Sequence, residues 1–205
     1  MGGTQNVSAL ILVLTGGAER RLRVQRSWND RAADYGFDVI YAGYCPPKKA
    51  IDAGVRCLPC CAISAGGGAD RGKPEMITRL KYAYEVGMAA GNYNFILKCD
   101  DDTHINYRNL ASFVQTLDPL KRAIYGQCDK VPWEPRPFCG GGAGVLAPIH
   151  LLREMLPQWP SLGPEDVALS NLAADMGASL NKINGFEPEC SRPFHSSISL
   201  HHCIK

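Results

Sequence analysis

Tyr93-Asn94-Phe95-Ile96-Leu97-Lys98-Cys99-Asp100-Asp101-Asp102 passes from an apolar run straight into three adjacent carboxylates. The first half reads as a buried strand, because a short apolar run bounded by turn signals suits a strand covered on both faces. The second half works against a strand, since neighbouring acids repel one another and lower strand propensity. In a doubly wound α/β sheet, ligands collect beyond the carboxyl ends of the strands, and the acids fall at such an end. Side chains alternate along an extended chain, which sends Asp100 and Asp102 one way and Asp101 the other. That pair suits a hard divalent cation, Mn2+ or Mg2+, held through oxygen with a diphosphate filling the remaining positions. The same residues also fit a solvated acidic turn in which Asp100 or Asp102 caps the next helix.

Working outward, strand and helix signals alternate on both sides of this run. Ser8 to Leu14 is apolar and ends in Thr15-Gly16-Gly17, a buried strand entering a glycine turn. A helix is expected from Ala18 to about Tyr35 and a strand from Phe37 to Tyr41. Tyr44 to Lys73 is dense in Gly, Pro and Cys and reads as a long surface connection. Ile77, Leu80, Tyr84 and Met88 recur at helical spacing, with Pro74 suited to a first turn and Gly91-Asn92 to a stop. Beyond the acids come a helix from Asn106 to Leu117, a strand from Ala123 to Tyr125, and the run Gly140-Gly141-Gly142-Ala143-Gly144 leading into Val145-Leu146-Ala147. Pro148 opens a helix from Ile149 to Leu156, Pro164-Glu165-Asp166 opens another within Gly163 to Met176, and Ser179 to Ile183 is a strand. This order predicts one α/β domain over residues 1–205, built around a mainly parallel sheet.

At 205 residues and 45% hydrophobic content the chain can bury a sizeable core without staples. Its 22 basic residues against 20 acidic ones exclude the clustered basicity of a nucleic-acid binder. The longest apolar stretch, Ala9 to Leu14, is too short to span a bilayer, so the sequence reads as soluble, with no transmembrane segment or signal. Nine cysteines leave at least one unpaired. Cys57, Cys60 and Cys61 have one Cys-x-x-Cys spacing; with a distant donor such as Cys45 they suit zinc, and otherwise a local disulfide or plain loop thiols.

Phe95-Ile96-Leu97-Lys98-Cys99-Asp100-Asp101-Asp102-Thr103 resembles the metal-binding motif of the Fringe and core 1 β1,3-galactosyltransferase group, in glycosyltransferase family 31. Gly141-Gly142-Ala143-Gly144 is similar to that group's glycine loop, and Glu165-Asp166-Val167-Ala168-Leu169 to its Glu-Asp-Val segment. Arg192-Pro193-Phe194-His195-Ser196 through His201-His202-Cys203-Ile204-Lys205 resembles its C-terminal Phe-His and His-His block. The four motifs stand in the family's order over the last half of the chain; Val13-Leu14-Thr15 and the Arg-rich segment ending Ser27-Trp28 match more loosely. The resemblance implies a GT-A, Rossmann-like fold, a UDP-sugar donor, Mn2+ as cofactor with Mg2+ as the alternative, and inverting transfer to a glycan or glycoprotein hydroxyl with a β1,3 linkage. Galactose is the expected sugar. N-acetylglucosamine transfer as in Fringe, and a non-catalytic chaperone-like relative, are the alternatives. It further implies the Golgi lumen, with a homodimer as a candidate assembly.

Residue by residue, the resemblance makes Asp102 a metal ligand with Asp100 close by and His195 the second protein ligand. Without it, a single histidine near a terminus is more often structural or exposed. Asp166 is the expected catalytic base and Glu165 the fallback; without the resemblance, both acids simply favour a helix first turn. Gly141 and Gly142 would let backbone approach the donor, and Asp101 and Thr15 are further candidates for donor contact. Of Arg20, Arg21, Arg23 and Arg26, one would reach the diphosphate, or all form an exposed basic face. Trp133 and Trp159 suit either a sugar face or ordinary packing. Relatives carry an anchor and stem and continue past the His-His block, so truncation at the C-terminus is expected. Gln25 stands where they often have Arg, and His104 replaces an aromatic residue.

Overall fold

The computed structural model describes residues 8–15, 31–43, 56–57, 74–161, 163–189 and 193–201. Its centre is a seven-stranded sheet in the order β10-β6-β9-β4-β1-β2-β3, from β1 (Ala9–Thr15), β2 (Asp38–Gly43), β3 (Arg56–Cys57), β4 (Phe95–Asp100), β6 (Ala123–Gly126), β9 (Val145–Pro148) and β10 (Ser179–Lys182). Every pairing is parallel except those of β9, which runs antiparallel to both β4 and β6. The mainly parallel α/β sheet expected from the alternation is therefore present, with one reversed strand.

Both faces of the sheet are covered, and β1 shows why its sequence is apolar throughout. Ala9, Ile11 and Val13 join one core layer, with Tyr107, Leu110 and Val114 of helix α2 (Tyr107–Val114). Leu10, Leu12 and Leu14 join the other, with Leu80 and Tyr84 of α1 (Pro74–Ala89), Leu151 and Leu152 of α3 (Ile149–Met155), and Leu169 of α4 (Glu165–Asp175). Each such side chain taken fully out of water stabilises the fold by about 1.5–3 kcal/mol. Inside α1, Gly87 lets the helix lie close on the sheet, since a Cβ there would stand 3.1 Å from Ile96 Cδ1 and 3.2 Å from Leu10 Cδ2.

Several boundaries move for local reasons. Asn106 is the cap of α2 and not its first residue, because its side chain accepts from Asn109 N at 3.2 Å. Pro148 ends β9 in extended geometry before α3 begins. The end of the predicted first helix is a turn at residues 31–32 leading into a short 3-10 helix, Ala33–Tyr35, closed by Gly36 at φ 78°; residues 18–30 of that prediction lie outside the described residues. So does most of the 44–73 connection, with Cys45, Cys60 and Cys61 and hence the zinc reading. Within it, however, Arg56–Cys57 is the edge strand β3 and not loop.

Two small sheets were not expected from the sequence. β11 (Phe186–Glu187), β12 (Ser199–Leu200) and β5 (His104–Ile105) form one, in which β12 runs antiparallel to the chain just past the acids. The other pairs β7 (Cys128–Asp129) with β8 (Phe138–Cys139), locked by a Cys128–Cys139 disulfide.

Candidate active site

The reversal of β9 builds the site. Because β9 runs against β4, Val145 lies opposite Lys98, and the glycine run before it is delivered to the end of β4 that carries the acids. Three consecutive carbonyls of that loop are then held by side chains. The Lys98 ammonium donates to Gly141 O at 3.4 Å, the Thr103 hydroxyl to Gly142 O at 2.6 Å, and the Ser199 hydroxyl to Ala143 O. The loop is thus fixed from β4, from the acidic turn and from β12.

The alternation expected for the acids is observed. Asp101 turns inward and accepts from the Thr15 hydroxyl at 2.8 Å. Asp100 and Asp102 turn to the other side, where they meet a histidine. That histidine is His201: its Nε2 lies 3.0 Å from Asp102 Oδ1 and 3.8 Å from Asp100 Oδ2. Asp100, Asp102 and His201 each offer one ligand atom, all within 4.8 Å of one another. His201 directly follows β12, so the β12–β5 pairing carries it back to the acids. Gly142 makes room for it, since a Cβ at that position would collide with the imidazole ring.

His195 is not brought to this cluster, which corrects the expectation that it is the second ligand. Its side chain is exposed, and the 193–196 turn is tied to α2 instead, with Asn109 Nδ2 donating to His195 O at 3.0 Å and Asn106 Nδ2 donating to Phe194 O at 3.0 Å. Phe194 stacks on His104 with ring centroids 4.0 Å apart, beside a separate hollow of about 250 Å³. One signal for His201 was legible: Ser-Ile-Ser-Leu before it alternates like a strand, which would place a histidine at a strand end. Thr15 and Asp101, the further candidates for donor contact, are both buried and bonded to each other, which braces β1 against the acidic turn.

Sequence reasoning missed Lys98. It is a buried cation, with Nζ 2.8 Å from Asp100 Oδ1 and 3.0 Å from Glu165 Oε1. Burial alone would favour neutral lysine, but the two carboxylates outweigh it and hold its pKa above the ordinary lysine range. For Asp100, burial pushes the carboxyl up, and the Lys98 ammonium, its hydrogen bond and His201 more than reverse this, leaving it below the usual value. Glu165 Oε2 is buried with no hydrogen-bond partner among the described residues.

Asp166 stands beside Glu165 in the first turn of α4, its carboxylate accepting from Gly141 N at 3.4 Å and from Val167 N at 2.9 Å. Asp100, His201, Gly141, Gly142, Glu165 and Asp166 all line one cleft of about 750 Å³. The two tryptophans separate. Trp159 is packing, its indole donating to Ile77 O at 3.0 Å and meeting Tyr84 edge-on, whereas Trp133 is 76% exposed and lines the cleft. Arg20, Arg21, Arg23, Gln25 and Arg26 lie outside the described residues.

No protein-family model matches the chain. Among solved structures it is similar to a glycosyltransferase involved in the glycosylation of the major capsid of PBCV-1, at 12% identity and TM-score 0.58, over 97% of this chain and 94% of that one. It is also similar to a Drosophila β1,4-galactosyltransferase 7 mutant in complex with manganese, UDP-Gal and xylobiose, at 13% identity and TM-score 0.51, over 96% and 71%. A Methanothermobacter nucleotidyl transferase matches at 14% identity and TM-score 0.50, over 88% of each chain. At such identities the likeness is one of fold, and the fold is the single-domain, Rossmann-like α/β sheet shared by GT-A glycosyltransferases and nucleotidyltransferases.

Proposed function

We propose that this chain is a divalent-cation-dependent glycosyltransferase that moves a hexose from a UDP-sugar to a hydroxyl of a glycan or glycoprotein, with inversion and a β1,3 linkage. The observation that carries the reading is the Asp100, Asp102 and His201 donor set, two of whose members, Asp100 and His201, line one cleft with the glycine loop and Asp166. Two carboxylate oxygens and an imidazole nitrogen fit Mn2+, and Gly142 leaves the histidine the room it needs to face them. When bound, such a cation supplies charge neutralisation for the departing diphosphate. Galactose as the sugar, the β1,3 linkage and a place in the Golgi lumen rest on the family resemblance. The Cys128–Cys139 disulfide agrees with an oxidising compartment of that kind.

The chain's own residues divide the remaining work. Asp166, steadied by the Gly141 and Val167 amides, takes the proton from the acceptor hydroxyl as that oxygen bonds to the anomeric carbon. The bond from that carbon to the diphosphate oxygen breaks on the opposite face, and the electron pair leaves with UDP. The backbone of Gly141 and Gly142, whose missing side chains leave room for Lys98 and His201, lines the cleft that would take the donor. Lys98 holds Asp100, Glu165 and Gly141 in register beneath it.

Calorimetry with UDP, with and without Mn2+, tests the reading before any acceptor is known. Binding that requires Mn2+ is the expected result. Absence of such binding, together with no hydrolysis of any UDP-sugar in a donor panel, would overturn it. The same panel separates UDP-galactose from UDP-N-acetylglucosamine as donor.

A further inference from the structure

The outer wall of the cleft is made by the loop between β7 and β8, and that loop is braced. Cys128–Cys139 closes its base, Asp129 pairs with Lys182 at 2.7 Å, and Arg136 pairs with Asp175 at 2.8 Å. At its tip Trp133 holds an indole in water on the cleft side. Trp133 is thus a large apolar ring, three-quarters exposed, on the wall of the same cleft that holds Asp100, His201 and Asp166. Its neighbours in the wall, Glu134 and Glu189, are carboxylates that form no ion pair among the described residues, and no Lys or Arg side chain among those residues lines the cleft.

We propose that Trp133, Glu134 and Glu189 form an acceptor subsite for a neutral pyranose. The inference rests on the glycosyl-transfer reading above and names its substrate class. The indole offers a flat apolar surface to the C–H face of a sugar ring, and the carboxylates accept hydrogen bonds from its hydroxyls. A uronate or sulfated sugar would bring a like charge beside Glu134 and Glu189 and is disfavoured by repulsion in the half-enclosed cleft.

The test compares wild type with Trp133→Ala, Trp133→Phe and the double variant Glu134→Gln/Glu189→Gln. Transfer from UDP-galactose is measured with Mn2+ onto para-nitrophenyl N-acetylgalactosaminide and para-nitrophenyl glucuronide. Trp133→Ala raises the neutral acceptor's KM about fivefold to tenfold, and Trp133→Phe restores most of it. The KM for UDP-galactose and its hydrolysis without acceptor stay unchanged in both. The double variant narrows the preference for neutral over anionic acceptor by about tenfold. An unchanged acceptor KM in Trp133→Ala, a matching rise in donor KM, or equal use of both acceptors by wild type overturns the proposal. If wild type shows no turnover, the transferase reading has failed separately. Ligand-observed NMR with methyl N-acetylgalactosaminide then decides the subsite: saturation transfer present in wild type and lost in Trp133→Ala upholds it, and none in wild type rejects it.

Discussion

Lys98 is the side chain on which most of the site leans, because one ammonium satisfies Asp100, Glu165 and the Gly141 carbonyl at once. Replacing it by Met leaves two carboxylates without their cation; Lys98 is buried but Asp100 is 36% exposed, so the cost falls below the about 3–5 kcal/mol of a fully buried pair. Urea unfolding at pH 7 should show that loss, and adding Glu165→Gln should recover part of it. Asp102 and Asp166 are expected to fail differently. Asp102→Ala should abolish Mn2+-dependent UDP binding, while Asp166→Ala should keep that binding and lose transfer by about a hundredfold or more. Calorimetry alongside turnover separates them, and normal transfer by Asp166→Ala would place the base elsewhere. His104 supplies a pH dependence. Burial pushes its imidazole down to about 4 from 6.5, so on acidification the unfolded chain takes up the proton first. Stability should therefore fall as pH drops from 6.5 toward 4, and His104→Phe should flatten that slope in unfolding measured at pH 7 and pH 5. The imidazole keeps part of its surface in water, which makes the drop smaller than full burial would.

Among the elements, β9 matters most, and its direction was not legible in Val145-Leu146-Ala147. An apolar run has no polarity of its own; antiparallel pairing with β4 and β6 is settled by where the chain enters and leaves the sheet. That direction brings residues 140–144 to Asp100, and it explains why Gly142 cannot carry a side chain. Gly142→Ala should push the His201 ring away and weaken Mn2+ binding by about tenfold or more, with little change in thermal stability, measured by calorimetry and a melting curve. Residues 193–201 make the complementary point. Both His195 and His201 sit in the motif block, but the 3-10 turn Phe194–Ser196 anchors His195 over α2, and only the residue after β12 reaches the acids.

For the molecule as a whole, metal binding and stability should be linked. A cation held by Asp100 of β4, Asp102 just beyond it and His201 after β12 ties together segments about a hundred residues apart in sequence. If only the folded chain binds Mn2+, an ion concentration of 100 Kd adds about 2.7 kcal/mol. The melting temperature should rise by several degrees on adding Mn2+, and Asp102→Ala should erase that shift. Among the described residues no helix is long and apolar enough to cross a membrane.

Local chemistry in the sequence was enough for a strand near Ser8 to Leu14, for one near Tyr93 to Leu97 that in fact begins at Phe95 and runs on through the first acid to Asp100, for α1 from its spacing, and for the divergence of Asp101 from Asp100 and Asp102. Each of these follows from periodicity, burial or side-chain alternation within a few residues. Which histidine meets the acids, which cation lies beneath them, and which tryptophan faces the cleft were decided by tertiary structure; the alternation of residues 197–200 puts His201 at a strand end but does not say what that strand pairs with. Lys98 looked like the first residue past a strand, His195 the better ligand and Trp133 no different from Trp159. Those choices depend on pairings such as Leu200 with His104 and Val145 with Lys98, and contacts between distant segments leave no periodic trace in either one.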